Sequence, residues 1–483
     1  MRLCELLPPD APCPPGMDNV EVTSLTSSSA AAMPGSLFAG LPGTKVDGSV
    51  YAADAVRRGA VAVLAGRGKH VDVATNVARI ETDNPRRALA MIAAKFHGAQ
   101  PARAVAVTGT SGKTSVADFT RQIFSHLGHQ AASLGTIGVV KPGGAIYGSL
   151  TTPDPITLHA TLAALAREGV THLAMEASSH GLDQHRLDGV QLTAAAFTNL
   201  GRDHMDYHAT VEDYLAAKMR LFTELLPAGR AVVVNADGAY ADRVVETAER
   251  AQHRVMTVGR AGSALRLANV ARDGFQQVLT IETDGKIKTV RLPLVGAYQV
   301  ENALVAAGLA IAAGEKTERA LMALERLNGV PGRLEIVGEH RGGLAIVDYA
   351  HKPEALAAAL DACRPFVTGK LICVFGCGGD RDRGKRPIMG KIAVEKADVV
   401  IVTDDNPRTE TPAVIRSEIL AAAKGAREMG DRAEAIKAAI NMMSAGDVVL
   451  VAGKGHETGQ IVGSRVLPFS DHDEIARAFE SFS

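Results

Sequence analysis

The stretch Thr108-Gly-Thr-Ser-Gly-Lys-Thr-Ser115 decides the fold of the central part of the chain. The apolar run Ala104–Thr108 before it is typical of a buried strand, and the residues from Lys113 to Leu127 have a helical pattern. Glycines between a strand and a helix let backbone N–H groups surround phosphate oxygens, and the helix N-terminus adds positive potential. Lys113 can then reach the β- and γ-phosphates of a nucleotide, and Thr114 can bind Mg²⁺. The stretch therefore predicts a nucleotide-binding loop.

This loop departs from the usual phosphate-binding pattern, because Val107 stands where the first glycine is expected. A tight strand-to-helix turn without a ligand is the alternative interpretation. Such a turn would not require the pair Lys113 and Thr114, so phosphate binding is favoured. The loop residues expected at the phosphates are Gly109, Thr110, Ser111, Gly112, Lys113, Thr114 and Ser115.

Strand-like and helical segments alternate on both sides of the loop, which is typical of parallel sheets covered by helices. A chain of 483 residues is too long for one core, since domains usually contain about 100–200 residues. The glycine- and proline-rich stretch Asn328-Gly-Val-Pro-Gly332 indicates a linker. We predict an α/β protein of three domains. They are an N-terminal domain (1–97), a central P-loop ATPase-like domain with a parallel sheet (98–330) and a Rossmann-like C-terminal domain (331–483).

Composition excludes several functional classes. The formal net charge is -1, from 52 basic and 53 acidic side chains, so the chain is not expected to bind nucleic acid. The longest apolar stretch, Ala303–Ala313, is shorter than the roughly 18 residues that a membrane span needs. The N-terminal sequence MRLCELLPPDAPCPP interrupts any apolar stretch with acidic residues and prolines, so no export signal is expected. These features predict a soluble, cytoplasmic protein.

The five cysteines are Cys4, Cys13, Cys363, Cys373 and Cys377. Their number is odd and no CxxC pair occurs. Neither a disulfide framework nor a structural zinc site is therefore expected, and reduced thiols are the simplest interpretation.

Two further segments place metal-binding side chains after predicted strands, where open α/β sheets bind ligands. Glu176 follows the strand-like run 173–175, although an ordinary strand-end carboxylate is the simpler interpretation of that residue alone. In Asn199-Leu-Gly-Arg-Asp-His-Met-Asp-Tyr-His208, the histidines His204 and His208 are four residues apart and could bind zinc. The glutamate that zinc proteases carry after the first histidine is missing. Mg²⁺ beside the phosphate loop is therefore favoured.

Ordered motifs extend these observations to most of the chain. The motifs TGTSGKTS, MEASSHGLDQHR, TNLGRDHMDYH, YLAAKMRLF, YQVENALVA, PGRLE and VDYAHKPE occur in the order seen in Mur ligases. Beyond them, CGGDRDRGKRP, DDNPRTE and AGKGHE resemble the branch of that family that adds meso-diaminopimelate to its acceptor. The chain therefore resembles the Mur ligase family.

The resemblance implies an ATP-dependent acid–amino-acid ligase of peptidoglycan synthesis, and hence a role in cell shape and division. The γ-phosphoryl group of ATP would pass to the D-glutamate carboxylate of UDP-N-acetylmuramoyl-L-alanyl-D-glutamate, and the amine of meso-diaminopimelate would attack the acyl phosphate. The implied cofactors are ATP and Mg²⁺, and a monomer is expected. Positioning and charge neutralisation would do most of the catalysis.

The resemblance also assigns roles at the nucleotide site. Lys113, Lys218 and His204 would be catalytic. Lys218, in YLAAKMRLF, matches the lysine that the family carbamylates, whereas without the resemblance it would be interpreted as a solvated helix lysine. The implied Mg²⁺ ligands are Thr114, Glu176, His204 and Lys218, and further nucleotide contacts are Asn302, Arg333 and Asp348.

Substrate contacts follow from the same motifs. The implied acceptor contacts are Ser28, Thr151, Thr152, Ser178, Gln184 and Arg186. The implied contacts of the incoming amino acid are Arg381, Asp405, Asn406, Pro407, Arg408, Gly453 and Glu457. GSLFAG and GTKVDG resemble the family's uridine-binding domain, but Ser27-Ser28-Ser29 replaces its Asp-Ser-Arg, so only Ser28 matches.

The sequence Asp-Asn-Pro-Arg occurs twice, and context distinguishes the copies. At Asp83–Arg86 it precedes a helical pattern, where Asp83 or Asn84 can cap the helix. At Asp405–Arg408 it follows a strand-like run, and Arg408 can bind the second carboxylate of diaminopimelate bidentately.

Three alternatives remain for the function. An L-lysine-adding ligase would act on the same acceptor, and folylpolyglutamate synthetase is a more distant relative. A P-loop switch or transport ATPase would bind phosphate but would not need the substrate-like motifs between Thr151 and Arg186.

Overall fold

The computed structural model describes residues 1–43, 46–146, 150–201 and 203–481. The chain divides into two units. The first comprises Met1–Gly262 with Val305–Thr317, and the second comprises Ser263–Leu304 and the chain from Glu318 onward. Thr44 and Lys45 of the GTKVDG motif, and Arg202 of TNLGRDHMDYH, lie outside the described residues.

A four-stranded parallel sheet with the order β1-β2-β3-β4 forms the N-terminal part of the first unit. Because side chains alternate along a strand, Leu37 and Leu64 pack on one face of the sheet, while Phe38 and Val63 pack on the other. Both faces are therefore covered. The elements are α1 (Leu3–Leu6), β1 (Ser24–Thr26), β2 (Ser36–Gly40), α2 (Ala52–Arg57), β3 (Ala62–Gly66), β4 (Ala78–Thr82) and α3 (Pro85–His97).

The central sheet of the first unit has the strand order β12-β11-β10-β5-β9-β6-β7-β8. It is parallel from β12 to β6, and β7 and β8 add an antiparallel edge. The elements are β5 (Arg103–Thr108), α4 (Lys113–His126), β6 (Ala131–Gly135), β7 (Gly138–Lys141), β8 (Gly144–Ile146), α5 (Pro155–Arg167), β9 (His172–Glu176), α6 (Ser179–Asp183), β10 (Leu192–Phe197), α7 (Val211–Arg220), β11 (Ala231–Asn235), α8 (Ala241–Arg250) and β12 (Arg254–Gly259).

The register of this sheet brings the predicted phosphate loop close to Glu176. Val107 pairs with Glu176, and Thr108 pairs with Phe197. The carboxyl ends of β9, β5 and β10 therefore lie side by side, and the segments that follow them meet at one edge of the sheet.

The second unit contains an antiparallel meander, β13-β14-β15, and a six-stranded sheet with the order β16-β17-β21-β18-β19-β20. The six-stranded sheet is parallel apart from β16, which agrees with the predicted Rossmann-like fold. Asp348 and Phe375, which end β17 and β18, both pair with Ala452 at the end of β21. The motifs after these strands therefore share one edge.

The elements of this later part of the chain are β13 (Leu265–Asp273), β14 (Gln276–Thr283), β15 (Lys286–Leu292), α9 (Ala297–Ala312), α10 (Thr317–Ala323), β16 (Glu335–His340), β17 (Gly343–Asp348), α11 (Pro353–Cys363), β18 (Leu371–Phe375), α12 (Lys385–Lys396), β19 (Val399–Val402), α13 (Pro412–Leu420), β20 (Arg427–Glu428), α14 (Arg432–Met442), β21 (Val448–Ala452), β22 (Gly459–Val462), β23 (Arg465–Pro468) and α15 (Asp471–Glu480). Of α9, the residues from Val305 belong to the first unit. Across the described ranges, no helix combines the length and apolar character needed to cross a membrane.

The cysteines correct one expectation from the sequence. Cys4 and Cys13 form a disulfide, and their Cα atoms are 5.2 Å apart, so the interpretation that all five thiols are reduced is wrong for this pair. Cys363, Cys373 and Cys377 are buried free thiols. Burial raises the pKa of Cys373 and of Cys377 to about 12, which keeps both protonated and unreactive near neutral pH.

Candidate functional site

The phosphate loop is held by the two residues that follow the neighbouring strand β10. The backbone N–H of Thr110 donates to the carbonyl of Asn199 (2.8 Å), and that of Ser111 donates to the Asn199 side chain (3.0 Å). The hydroxyl of Thr198 donates to the Ser111 carbonyl (2.7 Å). Gly109 has φ 149°, and a Cβ there would collide with the Thr198 hydroxyl. The loop thus needs glycine at this position to lie so close to β10.

Two lysine amines converge on the loop. The Nζ atom of Lys113 donates to the carbonyls of Gly109 (2.9 Å) and Thr110 (2.8 Å). Lys218, on α7, donates to the same Gly109 carbonyl (2.8 Å). Two ammonium groups that share one acceptor repel each other. This repulsion favours the neutral form of one of the two amines.

Lys218 is only 1% exposed, and its amine lies 4.2 Å from the centroid of the Tyr214 ring. The interpretation as a solvated helix lysine is therefore wrong. Burial, with a smaller contribution from Lys113, lowers the pKa of Lys218 to about 6, although Asp203 opposes the shift. A largely neutral amine follows near pH 7.

Glu176 lies at the same edge of the sheet. It is the last residue of β9 rather than the residue after it, and it is buried. Its carboxylate accepts hydrogen bonds from the backbone N–H (2.7 Å) and the hydroxyl (3.3 Å) of Thr136. A Cβ on Gly135 would collide with the carboxylate, so glycine leaves the space that Glu176 occupies. Sequence reasoning missed Thr136, although its position after a strand gave a signal.

His204 and His208 belong to an aromatic cluster near α7. The His204 ring lies edge-on to that of His180, with centroids 4.8 Å apart, and the His208 ring is 5.2 Å from that of Tyr214. Burial lowers the pKa of both His204 and His208. Among the described residues, no group of three candidate metal ligands includes either histidine. Within the part of the chain that the structure describes, the zinc alternative therefore has no third His, Cys, Asp or Glu ligand beside these histidines.

The residues assigned to Mg²⁺ fit that ion unequally. The Thr114 hydroxyl, in the first turn of α4, and the Glu176 carboxylate are the oxygen ligands that Mg²⁺ prefers. His204 supplies nitrogen, which suits Mg²⁺ less well. An unmodified Lys218 is an amine and does not fit, whereas a carbamate on Lys218 would supply oxygen.

The acceptor residues predicted from TTPDP and from the segment after Glu176 are brought together. Ser178 donates to the Thr152 hydroxyl (3.0 Å), and Arg186 donates to the Thr152 carbonyl (2.7 Å) and to Gln184 (2.8 Å). Thr151 shares a hydrogen bond of 3.0 Å with Thr136, which binds Glu176. These residues therefore form a network continuous with the Glu176 site.

Ser28 stands apart from this network. It lies in the N-terminal part, and its described hydrogen bonds are to Thr26 and to the backbone N–H of Ala31. No described hydrogen bond connects Ser28 with the other predicted acceptor residues.

The nucleotide residues of the second unit lie near one another. Asn302 donates to Gln299 (3.0 Å), which in turn donates to the Arg333 carbonyl (2.8 Å). The carboxylate of Asp348 accepts from the backbone N–H groups of Leu334 (2.7 Å) and Ala350 (2.8 Å). Burial raises the pKa of Asp348 to about 6, against the effect of these hydrogen bonds and of Arg333.

A cavity of about 680 Å³ in the second unit contains most of the residues predicted to bind the incoming amino acid. Its lining includes Arg381, Asp405, Asn406, Arg408, Gly453 and Glu457. Pro407 is not part of the lining. The Arg408 guanidinium donates from one nitrogen to the Gly379 carbonyl (2.8 Å).

Sequence reasoning missed Lys454, although it lies inside the quoted motif AGKGHE. Its side chain is fully buried, and its amine contacts Asn406 and Glu457, each at 3.0 Å. Asn406 also donates to the Glu457 carboxylate (2.8 Å). Lys454 therefore orients two residues that line the cavity, and its place between Gly453 and Glu457 was the available signal.

Comparisons with known protein families account for most of the chain. Residues 21–97 match "Mur ligase family, catalytic domain", residues 107–310 match "Mur ligase middle domain", and residues 332–455 match "Mur ligase, glutamate ligase domain".

Individual relatives resemble the chain over nearly its full length. It is 58% identical to UDP-N-acetylmuramoyl-L-alanyl-D-glutamate–2,6-diaminopimelate ligase of Bradyrhizobium diazoefficiens, covering 100% of this chain and 99% of the relative. It is 57% identical to the protein of the same name from Brucella melitensis, covering 99% and 98%.

Solved structures agree with this similarity. A structure of a UDP-N-acetylmuramoyl-L-alanyl-D-glutamate–2,6-diaminopimelate ligase has a TM-score of 0.74 at 32% identity, with 96% of each chain covered. The MurF ligase of Thermotoga maritima in complex with ADP has a TM-score of 0.62 at 18% identity, covering 96% of this chain and 99% of that one. The second similarity concerns the fold alone.

Proposed function

Because the chain belongs to the Mur ligase family, we propose that it joins meso-diaminopimelate to UDP-N-acetylmuramoyl-L-alanyl-D-glutamate in peptidoglycan synthesis, using ATP. The reaction passes through an acyl phosphate on the D-glutamate carboxylate. We place it in the cytoplasm, in a monomeric enzyme. The three domains that the sequence predicts, 1–97, 98–330 and 331–483, remain part of the proposal, which the three matched family segments support.

The observation that carries the proposal is the charge arrangement in the 680 Å³ cavity. Arg408 offers a planar guanidinium for a carboxylate, and Asp405 and Glu457 offer negative charge for an ammonium group. Diaminopimelate carries one more carboxylate than lysine. A cavity lined by both Arg381 and Arg408 therefore favours diaminopimelate over lysine.

The first step requires the γ-phosphoryl group to meet the acceptor carboxylate. Lys113 and the N–H groups of the loop would neutralise and orient the phosphates, and Arg186 would bind an acceptor carboxylate. Mg²⁺, which Thr114, Glu176 and His204 would help to hold, supplies further charge neutralisation on the phosphates when bound. Since the phosphoryl group passes directly to the acceptor, no protein nucleophile is needed.

Lys218 has the properties that carbamylation requires. The neutral amine attacks carbon dioxide, the N–C bond forms as one C=O π bond opens, and one proton leaves the nitrogen, so the neutral side chain becomes an anionic carbamate. The lowered pKa of Lys218 supplies the neutral amine, and the charge of Lys113 favours the anionic product. The modification also removes the repulsion between two amines on the Gly109 carbonyl.

A panel of amino acids tests the proposal. The purified protein is incubated with ATP, Mg²⁺, the UDP-muramoyl dipeptide and one amino acid, and phosphate release and product mass are measured. We expect phosphate release that depends on both acceptor and meso-diaminopimelate, with the mass of the tripeptide product. Preferential use of L-lysine would overturn the choice of substrate, and acceptor-independent ATP hydrolysis would favour a P-loop switch or transport ATPase.

A further inference from the structure

Three metal-binding side chains meet at the amino edge of the central sheet, opposite the edge that holds the phosphate loop. His129 follows α4, His172 is the first residue of β9, and Glu315 follows α9 in the part that belongs to the first unit. Glu176 is at the other end of β9, four residues and about 13 Å away along the strand. The cluster is therefore separate from the proposed catalytic site.

The three side chains are close enough to share one ion. One ligand atom from each lies within 4.8 Å of those of the other two. The His129 Nε2 atom is 2.7 Å from the Glu315 carboxylate, and the rings of His129 and His172 stack with centroids 3.9 Å apart. A small shift of the side chains would bring the three ligand atoms around one ion.

His172 gives the second, independent indication of a ligand. The residue is 6% exposed, its Nδ1 atom lies 2.9 Å from the Thr171 hydroxyl, and its Nε2 atom is buried without a hydrogen-bond partner. A buried polar atom without a partner costs free energy and calls for an explanation. The unpartnered Nε2 atom of His172 is therefore a candidate ligand atom for a metal ion.

We propose that His129, His172 and Glu315 form a binding site for Zn²⁺ or a similar imidazole-preferring transition-metal ion. Two imidazoles and one carboxylate are an established ligand set for zinc, with a fourth position left for water. Mg²⁺ and Ca²⁺ fit poorly, because they prefer several oxygen ligands and the cluster has one carboxylate.

Arg103 sets a limit on the affinity of this site. Its guanidinium donates to the Ala313 carbonyl in the same region, so its positive charge opposes a bound cation. Metal binding by neutral nitrogen ligands is affected less by a nearby positive charge than metal binding by carboxylates is. This difference again favours a transition-metal ion. The bound ion would tie the end of α9 and the turn after α4 to the start of β9, and would stabilise the first unit.

Cobalt(II) is the probe for this site, because its visible absorption reports nitrogen and oxygen ligation directly. The full-length protein is freed of metal with a chelator and titrated with Co²⁺, and bound Co²⁺ is then displaced with Zn²⁺. We expect one equivalent with a visible spectrum, displacement by Zn²⁺ but not by Mg²⁺, and a higher Tm for the metal-bound protein.

Variants distinguish this cluster from other ligands. Glu315→Gln, which keeps the shape of the side chain, and His172→Ala should each weaken Co²⁺ binding at least tenfold. His70→Ala, which removes an exposed histidine elsewhere, should leave binding unchanged. Circular dichroism checks that each variant is folded. Absence of a Co²⁺ spectrum in the wild-type protein, or an unchanged spectrum in folded Glu315→Gln, would overturn the proposal.

Discussion

Two buried lysines, one in each unit, are in opposite electrostatic surroundings. Lys218 is 1% exposed and has the Gly109 carbonyl as acceptor, with the amine of Lys113 on the same oxygen. Lys454 is fully buried and has the Glu457 carboxylate and the Asn406 side chain as partners. The described hydrogen bonds of the first amine include no carboxylate, whereas the second amine has a carboxylate as a partner.

This difference in hydrogen-bond partners determines which chemical role each lysine can have. A buried ammonium that lacks a carboxylate is destabilised, so the neutral, nucleophilic form is favoured. A buried lysine that is paired with a carboxylate holds its partners in place. We therefore interpret Lys218 as a site of chemical modification and Lys454 as a positioning residue.

Lys113→Ala tests the site where the amines of Lys113 and Lys218 share the Gly109 carbonyl, and it should have the largest effect. It removes the charge that faces the β- and γ-phosphates, so kcat should fall by at least about 10²–10³-fold while the fold is retained. Steady-state kinetics and circular dichroism measure the two outcomes. Lys437→Ala, an exposed helix lysine, is the control and should be normal. Normal ligation by folded Lys113→Ala would show that the phosphate loop is assigned wrongly.

Lys218→Ala should also inactivate the enzyme, because no carbamate can form. Added bicarbonate should not restore activity, since the amine itself is missing, whereas a short carboxylic acid can supply the lost anion. Ligation rates with and without acetate or formate measure this rescue. Activity of Lys218→Ala equal to wild type would remove the distinction between the two lysines.

Arg408→Ala tests the cavity side of the comparison. Charge-assisted hydrogen bonds are worth roughly 1.5–3 kcal/mol, so kcat/KM for diaminopimelate should fall at least about tenfold, with little change in KM for ATP. Arg86→Ala, at the same place in the duplicated Asp-Asn-Pro-Arg sequence, should change neither. If the two arginine variants behave alike, the cavity does not bind the second carboxylate.

Lys454→Met should have the smallest effect, because Lys454 acts through Asn406 and Glu457. We expect KM for diaminopimelate to rise by about three- to tenfold, with a smaller change in kcat. Lys437→Met is the matched control for loss of one charge. A loss of stability without a change in KM would make Lys454 a structural residue only, as urea unfolding alongside kinetics would reveal.

The duplicated Asp-Asn-Pro-Arg sequence shows which structural features can be predicted from the sequence alone. The predicted cap is confirmed, since Asn84 accepts from the backbone N–H of Arg87 (3.0 Å) and Pro85 is in the first turn of α3. Asn406 and Arg408 line the cavity, as their place after a strand predicted. The helix cap and the position after a strand both depend on neighbouring residues in the sequence. The pattern of apolar residues is enough to predict them.

The remaining features depend on contacts between distant residues. The burial of Lys218 depends on α7 packing over a loop 109 residues earlier in the chain, and the ion pair of Lys454 depends on a turn after β21. The Cys4–Cys13 disulfide depends on how the chain folds back after α1. No periodic pattern or short motif encodes contacts between residues so far apart in the chain. The sequence alone therefore predicted which residues belong to the candidate sites, but not how deeply they are buried or which charges surround them.

The difference between the two lysines can be measured directly by carbon-13 NMR of the active protein in labelled bicarbonate. A lysine carbamate gives its own carbonyl resonance, distinct from those of bicarbonate and carbon dioxide. We predict one such resonance in the wild-type protein, its retention in Lys454→Met and its loss in Lys218→Ala. An actively ligating wild-type preparation without the resonance, or a resonance that survives in Lys218→Ala, would contradict the account.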